Sequence, residues 1–96
     1  MAIKRTVGII VKLKMPCLGN PKGTLGVCYE EYGTGLSFIF ENGMYDGFST
    51  TDYNKILERV GFEDKLSDYH FRSVIYLADD YRKDFFKFAE LRNKYK

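Results

Sequence analysis

The run Glu41-Asn42-Gly43-Met44-Tyr45-Asp46-Gly47-Phe48-Ser49 decides the fold of this chain. Just before it, Leu36, Phe38 and Phe40 alternate with Ser37, Ile39 and Glu41, the period-two pattern of a strand. Asn42-Gly43 is the dipeptide favoured in a two-residue type I′ hairpin turn, whose central residues both need positive φ. Met44 to Phe48 then reads as a short return strand, with Gly47 permitting a kink. Ser49-Thr50-Thr51-Asp52 supplies hydroxyls for free N–H groups and an acid for the first turn, so a helix starts there.

Toward the N-terminus, Val7, Ile9, Val11 and Leu13 alternate with Gly8, Ile10, Lys12 and Lys14, which predicts a strand with one buried face. Leu18 to Gly23 is a loop by its Gly, Asn and Pro content. In Thr24 to Tyr32, Leu25, Val27 and Tyr29 face one way, and Gly26 marks a bulge or bend. Gly33-Thr34-Gly35 is a turn. Toward the C-terminus, Tyr53, Ile56, Leu57 and Val60 fall on one helical face, and Gly61 fits a left-handed stop. Phe71 to Ala89 keeps helical spacing, as one long helix or two broken near Lys83-Asp84. The expectation is an α+β fold. A small antiparallel β-barrel or curled sheet over about residues 7–49 is followed by two or three helices, over about 51–60 and 71–93.

The stretches Gly23-Thr24-Leu25-Gly26-Val27-Cys28-Tyr29-Glu30-Glu31-Tyr32 and Phe38-Ile39-Phe40-Glu41-Asn42-Gly43-Met44-Tyr45-Asp46-Gly47-Phe48 resemble small SH3-like barrels. In those, a glycine-led strand of the form GTxGxV precedes a hairpin and a short return strand. The chain is also similar to small bacterial and phage proteins with a "FENGxYDGF" core and a helical tail. The resemblance implies a fold for residues 7–49 and assigns no functional residue, since SH3-like barrels take many kinds of partner.

Ninety-six residues fit one domain over 1–96, with a β part (1–49) and a helical part (50–96). A core this small must be dense in large apolar groups, and 45% hydrophobic residues supply it. No segment approaches the ~18 consecutive apolar residues of a membrane span. The apolar run after the basic start is shorter than a signal-peptide core, so a cytoplasmic location is expected. Cys17 and Cys28 are expected as free thiols. The charge is segregated: residues 1–14 carry a net of +4, residues 15–81 a net of −6 and residues 82–96 a net of +4.

No pattern commits the chain to a reaction. His70, the single histidine, has no partner at a readable spacing. The cysteines lack zinc-site spacing. Gly19 to Gly23 leads into a strand rather than the helix a phosphate loop requires. Glu30 and Glu31 point to opposite faces of a strand, and no acidic pair has calcium-loop spacing. No catalytic residue, metal ligand or cofactor is therefore assigned. Eight tyrosines exceed what a core of this size needs. Tyr32, Tyr45 and Phe48 beside the hairpin turns form a candidate partner-binding patch. Lys4, Arg5, Lys12, Lys14, Arg92 and Lys94 form a candidate basic surface.

The leading expectation is a non-catalytic interaction module, a regulator or inhibitor that binds another protein. The alternative is nucleic-acid binding through basic termini and exposed aromatics. A small-ligand binder or enzyme is the third class. A homodimer through the C-terminal helix is expected from apolar residues off its main stripe, Leu77, Phe86 and Leu91.

Overall fold

The computed structural model describes residues 6–63 and 86–95. They form five strands and two helices: β1 (Ile9–Leu13), β2 (Leu25–Tyr32), β3 (Gly35–Phe40), β4 (Tyr45–Ser49), α1 (Thr50–Ile56), β5 (Leu57–Phe62) and α2 (Phe88–Lys94). The strands make one antiparallel sheet in the order β4-β3-β2-β1-β5. The architecture is α+β, and the sheet is not closed into a barrel, because its edges β4 and β5 do not pair. α1 nevertheless joins those edges in seven residues, a helical rise of about 10 Å. A flat sheet of five strands would hold its edges about 19 Å apart. The sheet therefore curls around α1.

Each face has its own core. The α1 face gathers Ile9, Val11, Leu13, Cys28, Phe38, Phe40, Phe48 and Leu57, with Tyr53 and Ile56 of the helix against them. On the α2 face Ile10, Leu25, Val27 and Ile39 lie under Phe86, Phe88 and Leu91. β1 was expected to bury one face; it buries both, since Ile10 is as enclosed as Val11. A central strand between two helices needs this pattern. Gly26 answers a different need from a bend: a methyl there would come 2.6 Å from the Phe40 ring. The bulge lies further along, between Cys28 and Glu30.

The turn at Asn42-Gly43 is not type I′. Gly43 has φ of 86°, but Asn42 does not share the positive φ. The Gly43 N–H donates to Phe40 O at 2.9 Å and the Phe40 N–H to Met44 O at 2.9 Å, a three-residue hairpin loop ending on a left-handed glycine. Asn42 is otherwise engaged. Its Nδ2 donates to Leu18 O at 2.8 Å, and its Oδ1 accepts from the Met44 N–H at 2.9 Å and from Asn20 Nδ2 at 3.0 Å. The two-residue turn with both φ positive falls instead at Leu18-Gly19, with φ of 51° and 80°. Cys17 and Asn20 exchange both backbone hydrogen bonds across it.

The helix expected over 51–60 stops at Ile56, and Leu57 to Phe62 is a strand paired with β1. Two features hid it. A register shift opposite Ile10/Val11 leaves Val60 as the extra residue, so strict alternation is lost. Gly61 looked like a helix stop; it has no positive φ and is bare because the Tyr95 ring lies on it. The expected helix over 71–93 is described only from Phe86 onward, where Lys87 takes φ of 50° and α2 begins after it. The break foreseen near Lys83-Asp84, the segment from Phe71 and His70 lie outside the described residues.

Candidate functional site: a pocket on the curled face

Ser49 caps α1 as its sequence foretold, its Oγ accepting the Asp52 N–H at 3.2 Å. That cap fixes Thr50, Tyr53 and Asn54 beside the β2–β3 turn. Tyr53 lies tilted on Phe38, with ring centroids 5.9 Å apart. From the opposite edge β5 brings Arg59, whose guanidinium sits 6.0 Å over the Phe62 ring. Between them the curl leaves a pocket of about 410 Å³. Its floor is apolar, with Ile9, Leu36 and Phe48. Its rim is polar, with Thr6, Glu31, Thr34, Thr50, Asn54 and Arg59.

Electrostatics in the pocket are mixed. Glu31 Oε2 accepts from Thr6 Oγ1 at 2.9 Å. Burial pushes the Tyr53 hydroxyl pKa up, with nearby Arg59 opposing the shift. Its volume falls within the range of ligand clefts, and its lining mixes apolar and polar groups. Among the described residues no group of His, Cys, Asp or Glu could hold a metal ion.

The expected partner patch is divided by the sheet. Phe48 is a core residue, 5% exposed and edge-on to both Phe38 and Phe40. Tyr45 is 41% exposed on the α2 face, in T-shaped contact with Tyr29 at 6.1 Å. Tyr32 is half-buried and leans across β3, its hydroxyl over Gly35 and Gly47. Tyr32 and Tyr45 thus share one face of the sheet, but Tyr32 also lines the pocket whose floor holds Phe48, and Tyr45 does not. Burial also pushes the Tyr29 hydroxyl up to about 12, against the opposing effect of its hydrogen bond with Ser37.

Three of the basic residues are engaged locally. Lys14 Nζ donates to Asn54 O at 2.7 Å. Arg92 pairs with Glu41 at 2.8 Å and Lys94 with Glu63 at 2.9 Å. Lys12 stands opposite Glu58 on β1, and Lys4 and Arg5 lie outside the described residues. Both cysteines are free. Cys28 is buried, and burial lifts its thiol to about 12. Phe86 and Leu91, the described residues that suggested a dimer, are buried on their own sheet; Leu77 lies outside the described residues.

Sequence reasoning named Glu31 only in an acidic pair and Tyr53 only on a helical face, and it did not single out Arg59. Glu31 read as solvated acid, and Arg59 was lost with the unread strand. The single available signal was that Leu57, Arg59 and Phe62 share a face once one extra residue is allowed between them. No protein-family model matches the chain, and comparison with curated proteins and with solved structures finds no match.

Proposed function

We propose that this chain is a small non-catalytic interaction module that holds a segment of another protein in the pocket between α1 and β5. The observation that carries the reading is the pocket itself, with its apolar floor and polar rim. Such sites bury an anchoring side chain and orient it with a few hydrogen bonds. The strand order supports treating the β part as an open relative of the SH3-like barrel: β1 to β4 form a meander, and β5 returns to the free side of β1. In this reading Tyr45 lies outside the primary site, while Tyr32 and Phe48 line it. The nucleic-acid alternative needs cations free to meet phosphates, and Arg92 and Lys94 are held by carboxylates.

The test is a displayed-peptide library panned against the protein and against Asn54→Trp, an exposed rim position where the indole fills the pocket mouth. Peptides enriched on the parent and lost on a folded Asn54→Trp variant support the reading. Peptides that bind both equally, or no enrichment on the parent, would overturn it.

A further inference from the structure

An acid and a base line the same pocket without pairing. Glu31 and Arg59 both stand on its rim, and among the described residues neither forms an ion pair. Among the described residues Glu31 accepts the Thr6 hydroxyl alone, and Arg59 rests against the Phe62 ring. Each therefore keeps hydrogen-bonding capacity for a third party. A purely acidic ligand is repelled by Glu31 and a purely basic one by Arg59. A dipolar ligand satisfies both. Between the two charges the floor of Ile9, Leu36 and Phe48 asks for an apolar group. Thr34 and Thr50 also line the pocket, and threonine hydroxyls can bond the polar backbone that an apolar side chain brings with it.

We infer that the pocket takes an extended peptide segment of a partner protein in which a large apolar side chain has a basic residue two positions to one side and an acidic residue two positions to the other, so that all three side chains point the same way. The basic group meets Glu31, the acidic group meets Arg59, and the apolar side chain sits on the floor. This inference rests on the reading of the pocket as the partner site.

Two fluorescein-labelled peptides with the central sequences lysine–serine–phenylalanine–serine–glutamate and glutamine–serine–phenylalanine–serine–glutamine test it by fluorescence anisotropy. They are titrated against the whole protein and against Glu31→Gln, Arg59→Gln and Asn54→Trp. Each variant is first checked for a native circular-dichroism spectrum. The charged peptide is expected to bind about fivefold more tightly than the neutral one at low salt, as for a pair of solvent-accessible ion pairs. Glu31→Gln and Arg59→Gln each weaken the charged peptide more than the neutral one and so reduce that advantage. Should the two peptides bind alike while Asn54→Trp blocks both, the charge pattern is overturned and the pocket stands. Should neither bind, or Asn54→Trp block neither, the pocket reading falls with it.

Discussion

Single side chains hold the parts of this fold in register. At Gly61 the backbone is bare because the Tyr95 ring lies on it, and Tyr95 Oη donates to Glu63 Oε1 at 3.0 Å. A methyl there displaces the ring and its hydrogen bonds. Gly61→Ala is expected to cost about 1–3 kcal/mol, read as a lower urea midpoint. In a Tyr95→Ala background the same change should cost far less; an equal cost in both backgrounds would mean that the ring does not set the need for glycine. Asn42 is the second such residue, joining the 17–20 turn to the 40–44 turn. Asn42→Asp puts a carboxylate oxygen against Leu18 O where a donor stood. Its expected cost is about 1–3 kcal/mol at neutral pH. The deficit should shrink below about pH 4, where the new carboxyl can donate; thermal unfolding at pH 7 and pH 3 measures it.

At the scale of elements, α2 is held by two kinds of contact with different worth. Leu91 is 7% exposed and lies on the sheet, whereas Arg92 pairs with Glu41 in solvent. Leu91→Ala is expected to cost about 2–4 kcal/mol and Arg92→Ala less than about 1 kcal/mol. Comparable losses for the two in a denaturant titration would contradict this ranking. The elements also show what was legible. β2, β3, β4 and the Ser49 cap could be read because alternation and capping chemistry are local. β5 could not, because Val60 breaks its alternation and Leu57 and Val60 sit at helical spacing by coincidence. What decides β5 is the free edge of β1, a demand from a segment far away in sequence. The pocket was illegible for the same reason. Its lining comes from β1, β2, β3, β4, α1 and β5, and only the curl brings them together.

For the whole molecule, burial of ionisable groups sets an alkaline limit. Cys28 and Tyr29 have folded-state pKa values near 12, raised from ordinary values of 9.0 and 10.0. The folded state keeps both protons after the unfolded chain has begun to lose them. Their contribution to stability is thus full below pH 9 and declines as pH rises from there to about 12. Urea midpoints measured across that window should fall, and fall less steeply in Cys28→Ala. Parallel curves for the parent and the variant would remove Cys28 as a cause.

The strand order also governs how the chain fares while it is being made. Once Ser49 has left the ribosome, the β1–β4 meander has all its residues. Ile9-Ile10-Val11-Lys12-Leu13 then still lacks its second neighbour, because β5 ends at Phe62. Closing so distant a pairing is slow relative to forming hairpins. For that interval an apolar strand shows an open edge, the kind of surface on which nascent chains join one another. β5 therefore covers the free edge of β1 and also withdraws an apolar segment from neighbouring chains.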